Sequence, residues 1–225
     1  MPQDFHEIKQ LLHENRSTIW IFTGDSITHG AQHTNGFRSY VEHFQERLRW
    51  ELRQFHDVVI NTGISGHTAS DLLETFDERI TRFSPAVVFV MIGMNDCTRG
   101  QSGCLLFKNN LAQIIHRIRE IGAIPVLQTP NPIDIKNDRT RAELAGYVEI
   151  IREEALAKNL VLIDHYAYWQ SQKPNQGDVR GDWLNDTIHP NQYGHMEMTR
   201  KIFTDLGIFY SESPTCQLGL PHQKV

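Results

Sequence analysis

A serine, an aspartate and a histidine stand at positions where they could carry out acyl transfer. Ser26 closely follows the apolar run 19–23, and 160 residues later Asp186 precedes His189 by three positions. A histidine can take the proton of a serine hydroxyl as that hydroxyl attacks an ester carbonyl, and a carboxylate can hold the imidazole in the required tautomer. These residue types at this spacing indicate a serine hydrolase with Ser26 as nucleophile, His189 as base and Asp186 as its partner.

Each of these residues also has an ordinary structural interpretation. A serine at the end of a strand often caps the next helix, and Asp25 beside it could bond to local backbone in a turn. His189 could belong to a loop before a helix, because Pro190 suits the first position of a helix. The catalytic interpretation is favoured because few of the twelve histidines have an acidic neighbour at this spacing.

Acyl transfer also needs hydrogen-bond donors for the oxyanion that forms on the attacked carbonyl. The backbone N–H groups of Ser26 and Gly66 and the side-chain amide of Asn95 are candidates, because all three residues follow predicted strands. Gly66 could equally belong to a simple turn, and Asn95 could cap a helix. The catalytic interpretation accounts for all three together, since scattered polar residues would not collect at the ends of several strands.

Five short apolar runs are rich in Val and Ile and lack the alternation of a half-buried strand. They predict strands buried on both faces of a parallel sheet. The runs cover residues 18–23, 58–61, 86–92, 124–128 and 160–163. Stretches with apolar residues at helical spacing lie between them and predict helices. These stretches cover 40–55, 69–83, 105–121 and 139–158, and a further helix is expected from about residue 191.

The alternation of strands and helices predicts a single α/β domain of three layers over residues 1–225. In such a sheet, ligands bind beyond the carboxyl ends of the strands, which is where the polar residues fall. We expect an N-terminal helix within residues 1–15. The tail 211–225 has no periodicity, so we expect it to be irregular, either disordered or laid along the surface or a partner subunit.

The composition indicates a soluble protein and limits its partners. The net charge is −5 and the basic residues are scattered, which disfavours nucleic acid and anionic membranes as partners. Three cysteines do not suggest a disulfide framework, and the polar N-terminus does not resemble a signal peptide, so we expect a cytoplasmic location. No apolar run is long enough to predict a membrane span. The sequence leaves a homo-oligomer open.

Other chemistries lack their sequence motifs. The chain contains neither the G-x-S-x-G elbow of ordinary α/β-hydrolases nor the G-x-G-x-x-G and P-loop motifs of nucleotide sites. It also lacks an H-E-x-x-H metal motif, and His29 and His33 are predicted to lie in a loop rather than on one helix face. We therefore expect neither a metal nor a cofactor.

Four sequence blocks, in this order, resemble those of the SGNH (GDSL-like) hydrolases, a family named for Ser, Gly, Asn and His. The blocks are Gly24-Asp25-Ser26-Ile27, Asn61-Thr62-Gly63-Ile64-Ser65-Gly66-His67-Thr68, Gly93-Met94-Asn95-Asp96 and Asp186-Thr187-Ile188-His189-Pro190. Together they span most of the chain. Ile27 stands where the family name has leucine, which is a volume-conserving change.

The resemblance implies a role for particular residues of each block. Ser26 would be the nucleophile, His189 the base and Asp186 its partner. The Ser26 N–H, the Gly66 N–H and the Asn95 side chain would form the oxyanion hole. The resemblance also implies a flavodoxin-like α/β/α sandwich whose five parallel strands have the order 2-1-3-4-5, without a cofactor.

The partner of such a site is a small-molecule ester. We expect a short acyl group, such as acetyl, on a sugar or another small polar alcohol, since no secretion signal or long apolar lid is visible. The polar segments 131–138 and 172–183 are predicted to wall the pocket. The side chains expected to contact the substrate are Asp25, Met94, Trp183 and Ile188. Two alternatives stay open: a lysophospholipase or thioesterase acting on longer acyl chains, and a non-catalytic binding domain on the same fold.

Overall fold

Five parallel strands form a sheet in this computed structural model, which describes residues 2–14, 16–30, 33–172 and 183–218. The strands are β1 (Ile19–Gly24), β2 (Val58–Asn61), β3 (Val87–Met91), β4 (Ile124–Gln128) and β5 (Val161–Ile163). Their order across the sheet is β2-β1-β3-β4-β5. The predicted α/β class, parallel sheet and strand order are confirmed, and each apolar run matches its strand to within one residue at either end.

Helices connect the strands and cover the sheet. They are α1 (Gln3–Leu11), α2 (Ser26–His29), α3 (Tyr40–Trp50), α4 (Ala69–Glu74), α5 (Phe76–Arg79), α6 (Cys104–Glu120), α7 (Leu144–Ala157), α8 (His165–Gln172), α9 (Gln192–Asp205) and α10 (Pro214–Gln217). Helix α6 contacts α4 and α7, whereas α3 contacts α9. This grouping is the arrangement of a three-layer α/β/α fold, with one group of helices on each side of the sheet.

The stretch 69–83 is not one helix, contrary to the prediction. Helix α4 ends before Thr75, whose hydroxyl donates a hydrogen bond of 2.8 Å to the Asp71 carbonyl oxygen. A side chain that bonds to the backbone four residues earlier competes with regular helix geometry and bends the helix. The chain turns again at Ile80, and Ser84 ends the segment with a positive φ of 48°.

Two other predicted helices are shorter than expected. Helix α3 ends at Trp50, and Arg53 follows with a positive φ of 56° that a helix cannot contain. The stretch 139–158 begins with a separate 3₁₀ turn over Arg139–Arg141, and α7 starts at Leu144.

Aromatic rings fill the space between the central strands and α3. Phe22 of β1 and Phe89 of β3 are partners in the sheet register, and their rings stack 4.3 Å apart. Phe44 of α3 packs against Phe22 with its ring centroid 5.0 Å away. All three side chains are fully buried, and burying each contributes about 1.5–3 kcal/mol. This part of the core fixes the position of β1, the strand that leads directly to Ser26.

The two ends of the chain differ in part from the prediction. Helix α1 occupies only residues 3–11 of the segment 1–15. The tail is not irregular throughout, because it contains α10 and because Arg47 of α3 donates a hydrogen bond of 3.0 Å to the Thr215 hydroxyl. The predicted tail residues 219–225 lie outside the described part. Among the described helices, none combines the length and the apolar character needed to cross a bilayer, and the three cysteines are free.

Strands β1 and β3 approach each other closely at Gly24. This residue is the register partner of Met91 and has a φ of +151°. A Cβ atom at this position would overlap the Met91 carbonyl oxygen. The residue that links β1 to Asp25 and Ser26 must therefore be glycine, both for its backbone conformation and for the space available.

We expect Gly24→Ala to lower the free energy of unfolding by about 3 kcal/mol or more, because the added methyl group meets backbone atoms that cannot rotate away. Gly122→Ala is the matched control. Gly122 also has a positive φ, of 76°, but an added Cβ would have no atom within 4 Å. The control should lose only about 1–2 kcal/mol, the cost of the backbone conformation. Urea unfolding of both variants measures the difference, and equal losses would contradict the steric argument.

Candidate active site

Ser26 is the first residue of α2 and lies directly beyond the carboxyl end of β1. Its Oγ atom lies 2.8 Å from Nε2 of His189, and the residue is only 7% exposed. The cap of α2 is Asp25, whose Oδ1 accepts the Ile27 N–H at 3.0 Å. The capping role that the sequence left open for Ser26 is thus performed by its neighbour. The Ser26 hydroxyl is left to bond to the imidazole.

Asp186 holds His189 through the other nitrogen of the ring. Nδ1 of His189 lies 2.7 Å from Oδ2 of Asp186. Oδ1 of the same carboxylate accepts the backbone N–H groups of Ile188 and His189, at 2.8 and 2.7 Å. The carboxylate therefore shapes its own loop and orients the ring at the same time. The structure brings Ser26, His189 and Asp186 together in one chain of hydrogen bonds.

The loop that carries Asp186 and His189 is fixed on both sides. Leu184 and Pro190 form an antiparallel bridge that closes it. Asn131, in the segment after β4, donates a side-chain hydrogen bond of 3.0 Å to the Ile188 carbonyl oxygen. One predicted pocket wall, 131–138, thus contacts the loop that carries Asp186 and His189. Most of the other, 172–183, lies outside the described residues.

Burial and hydrogen bonding set the charge states of this pair. Burial raises the pKa of the Asp186 carboxyl, but the hydrogen bonds from His189 and Ile188 outweigh it, so the pKa lies below its usual range. Burial lowers the pKa of His189 below its ordinary value, and the bond to Asp186 opposes this shift only in part. At neutral pH the carboxylate is charged and the imidazole is neutral. An imidazole that donates from Nδ1 to Asp186 has Nε2 free to accept the serine proton.

Hydrogen bonds join the loops that carry the predicted oxyanion donors. Nδ2 of Asn95 donates to the carbonyl oxygen of His67, the residue after Gly66, at 3.0 Å. Ser65 Oγ lies 3.1 Å from Nδ1 of His29, at the end of α2. The loops after β1, β2 and β3 therefore form one connected edge of the sheet.

The backbone geometry leaves N–H groups free at this edge. Ser26 stands at the first position of a helix, where the N–H has no intrahelical acceptor. Gly66 is exposed and has a positive φ of 87°, and its N–H donates no hydrogen bond within the described part of the chain. The Asn95 amide has a second N–H beyond the one that His67 accepts. These are the donors that the sequence analysis selected, and their role in an oxyanion hole stays a prediction.

Three of the four expected substrate contacts are buried instead. Asp25 and Met94 are 0% exposed and Ile188 is 9% exposed, so these side chains offer little or no surface to a substrate. Burial also raises the pKa of the Asp25 carboxyl to about 7. Trp183 is half-buried and packs edge-on against Trp169, with ring centroids 5.1 Å apart. Asp25, Met94 and Ile188 lie within the sequence blocks and Trp183 lies close to the last one. A position in the chain does not fix the direction of a side chain.

His33 belongs to the site although the sequence analysis considered it only as half of a metal pair. Its ring is parallel to that of His189, to within 2°, with centroids 3.5 Å apart. Its Nδ1 lies 3.5 Å from Oδ2 of Asp186. No spacing rule connects residues 33 and 189, so the sequence held no signal for this stack.

These three residues are also the group in the described part of the chain that could hold a metal ion. One ligand atom from each of His33, Asp186 and His189 lies within 4.8 Å of the others. The two rings are parallel, however, so the lone pairs of their nitrogens run side by side rather than towards one point. A metal would require one ring to turn and the bond between His189 and Asp186 to break, so the geometry fits hydrogen bonding better.

Arg141 is a second residue that sequence reasoning missed. It follows β4 in the chain, and its guanidinium donates to the Met94 carbonyl oxygen at 3.1 Å and to Oδ1 of Asn95 at 3.4 Å. Its side chain is 17% exposed and pairs with Asp138 at 2.8 Å. The arginine thus contacts the loop after β3 from a segment that carries none of the four blocks.

Comparison with known proteins gives two relatives, of which one has a similar length. An acetylxylan esterase of Geobacillus stearothermophilus is 25% identical over 211 residues, covering 86% of this chain and 95% of that protein. An uncharacterised protein of Mycoplasma pneumoniae is 24% identical over 94% of this chain, which spans only 27% of that longer protein.

Solved structures share the fold. The acetylxylan esterase Axe2 of Geobacillus stearothermophilus matches with a TM-score of 0.72 at 22% identity, covering 84% of this chain and 94% of that one. LAE5, an α/β hydrolase from the metagenome of Lake Arreo, matches with a TM-score of 0.70 at 23% identity, covering 85% and 95%.

A family model also matches the chain. The match covers residues 22–196, from the end of β1 to the start of α9, and so includes all four sequence blocks. The chain therefore belongs to the GDSL-like Lipase/Acylhydrolase family of carboxylic ester hydrolases.

Proposed function

We propose that the protein is a serine esterase that works through an acyl-enzyme on Ser26. The observation that carries the proposal is the chain of hydrogen bonds from Ser26 Oγ to His189 Nε2, at 2.8 Å, and from His189 Nδ1 to Asp186, at 2.7 Å. It joins a nucleophile, a base and an orienting carboxylate at the carboxyl edge of the sheet, where ligands of such folds bind. Membership of an acylhydrolase family supports it.

The reaction proceeds in two halves. His189 Nε2 takes the Ser26 proton while Oγ forms a bond to the ester carbonyl carbon, and the carbonyl electrons move onto the oxygen. When the tetrahedral intermediate collapses, the bond to the alcohol oxygen breaks and His189 gives that oxygen its proton. Water then attacks the acyl-enzyme, giving a proton to the same nitrogen. The second collapse returns this proton to Ser26 and releases the acid.

The oxyanion of each intermediate is stabilised by the Ser26 N–H, the Gly66 N–H and the Asn95 amide. Two of the donors are backbone groups, so their direction is set by the fold before substrate binds. Such preorganised donors reduce the barrier because they need not reorient as the charge develops. Each donor of this type contributes about 2.7–4 kcal/mol of transition-state stabilisation.

For the substrate we propose an acetyl or similarly short acyl ester of a sugar or another small polar alcohol. A relative that spans 86% of this chain is an acetylxylan esterase. Structures of Axe2 include catalytic mutants in which a serine, an aspartate and a histidine are replaced, the same three residue types as in this site. The segments after β1, β2 and β4 carry the polar side chains of His29, Ser65 and Arg141, which suits a polar alcohol. The cytoplasmic location stays a prediction from the sequence.

His189→Ala should lower kcat for p-nitrophenyl acetate by about 10³-fold or more, because Ser26 loses its base. Labelling of Ser26 by a fluorophosphonate, followed by mass spectrometry, should slow in parallel. His116→Ala is the control. His116 is exposed on α6, where it pairs with Glu120, and its replacement should leave both rates unchanged. Normal turnover by the His189 variant, or a wild-type enzyme that never labels at Ser26, would contradict the mechanism.

The pH profile of kcat/KM should fall on its acid side with an apparent pKa below 6.5, because burial lowers the pKa of His189 and only the neutral ring accepts the serine proton. Protonation of His189 therefore removes activity as the pH drops through that value. His33 also lowers the pKa of His189. Accordingly, His33→Phe, which keeps a ring but removes the charge, should move the acid limb to higher pH. An acid limb above 6.5 in the wild type would refute the electrostatic argument.

A series of p-nitrophenyl esters from acetate to palmitate tests the acyl preference. We expect kcat/KM to peak at about two to four carbons, since each methylene that a short pocket cannot accept costs binding in the transition state. A peak beyond about eight carbons would favour the lysophospholipase or thioesterase alternative. No turnover of any ester, with intact folding, would favour the binding-domain alternative.

A further inference from the structure

The Asn95 side chain must choose between two orientations that differ in chemistry. Rotating a carboxamide by 180° exchanges its NH₂ group and its carbonyl oxygen. In one orientation an N–H faces the oxyanion, and in the other a partly negative oxygen faces it. Nδ2 donates to the His67 carbonyl oxygen at 3.0 Å, so one amide hydrogen is used and one remains. The His67 carbonyl oxygen already favours the orientation with Nδ2 towards it, and the group that contacts Oδ1 at the other end of the amide strengthens or weakens that preference.

Arg141 holds that other end. Its Nη2 donates to Oδ1 of Asn95 at 3.4 Å, and its Nε donates to the carbonyl oxygen of Met94, the preceding residue, at 3.1 Å. The guanidinium thus bonds to the backbone and the side chain of the same loop with two atoms of one rigid fork. If the Asn95 NH₂ group took the place of Oδ1, two hydrogen-bond donors, this NH₂ group and the Arg141 guanidinium, would face each other. The arginine therefore favours the same orientation as the His67 carbonyl oxygen, with Nδ2 directed towards His67.

The arginine is itself fixed from behind. Its Nη1 donates to Oδ2 of Asp138 at 2.8 Å, and Oδ1 of Asp138 accepts the Thr140 N–H at 3.0 Å. Asp138 thereby caps the 3₁₀ turn that carries Arg141 and pairs with its charge. The arginine side chain is 17% exposed, so water competes little for the guanidinium. The segment after β4 positions the arginine independently of the loop after β3.

We infer that Arg141 is a positioning residue of the oxyanion hole, which fixes the Asn95 amide so that its free N–H faces the reacting carbonyl oxygen. The inference rests on the proposed function and adds to it a residue that no sequence block contains. It requires Arg141 to act through Asn95. Its contribution must therefore disappear when the Asn95 amide is absent, whereas a direct effect of its charge on the oxyanion would persist.

A double-mutant cycle on p-nitrophenyl acetate hydrolysis tests this requirement. Asn95→Ala should lower kcat by about 100-fold, as for the loss of one oxyanion donor. Arg141→Met should lower kcat by about 10-fold with KM changed less than about 2-fold, because the amide is misdirected only part of the time and ground-state binding is kept. In the Asn95→Ala background, the same Arg141 change should alter kcat by less than about 2-fold.

Two further variants separate geometry from charge and from folding. Arg141→Lys keeps the charge but lacks the fork, so kcat should stay as low as in Arg141→Met. Arg141→Lys can also replace Arg141→Met in the double-mutant cycle if the methionine variant does not fold. Arg139→Met, at an exposed position of the same 3₁₀ turn, should leave kcat and KM unchanged. Urea unfolding of each variant checks that a lower kcat is not caused by partial unfolding.

Different results would overturn the positioning role of Arg141 and the proposed esterase mechanism. An Arg141→Met effect of equal size with and without Asn95 would overturn the inference, as would full rescue by lysine, while leaving the esterase mechanism intact. If Asn95→Ala itself leaves kcat unchanged, the oxyanion role proposed for Asn95 fails and the inference falls with it. Non-additivity of the two changes, with lysine unable to rescue, supports the inference.

Discussion

The hydrogen bond between Ser26 Oγ and His189 Nε2 joins residues 163 positions apart in the chain. A contact of 2.8 Å across that separation requires both side chains to be fixed by their own surroundings. On one side, Asp25 caps α2 and Gly24 lets β1 run close to β3, so the backbone that carries the hydroxyl is fixed. On the other, the Asp186 carboxylate bonds to the backbone of the loop that carries the histidine. The bond therefore depends on the sheet and the last loop together.

The order of the strands explains why such distant segments meet. Strand β1 lies between β2 and β3, so the loops after these three strands share one edge. Asp96, in the loop after β3, accepts the Ala69 N–H at 3.0 Å and so ties that loop to the start of α4. Asn131 after β4 reaches the catalytic loop in the same way. The segment after each strand contributes at least one polar group, and contacts between these segments bring the groups together.

How much of this arrangement could be predicted depends on how far along the chain each sequence pattern extends. Buried parallel strands are continuous apolar runs, so their positions were readable, and Asp186 lies close enough to His189 for spacing alone to pair them. The resemblance to a family supplied the strand order and the role of Gly66 rather than of a neighbour. The break at Thr75 was missed because a hydroxyl bonding to the backbone overrides apolar periodicity. His33 and Arg141 were missed because each acts across loops that no local pattern relates.

The charged and polar groups of the site suit the two charged species that form in the proposed reaction. In the proposed mechanism an imidazolium forms on His189, and the carboxylate of Asp186 lies 2.7 Å from Nδ1 of that ring. In the same mechanism an oxyanion forms at a second side of the site, which the proposed N–H donors of Ser26, Gly66 and Asn95 define. Two further carboxyls, Asp25 and Asp96, are buried near this second side, and burial raises their pKa values to about 7 and about 6. Because burial disfavours their charged forms, less negative charge opposes the oxyanion than two ordinary aspartates would supply.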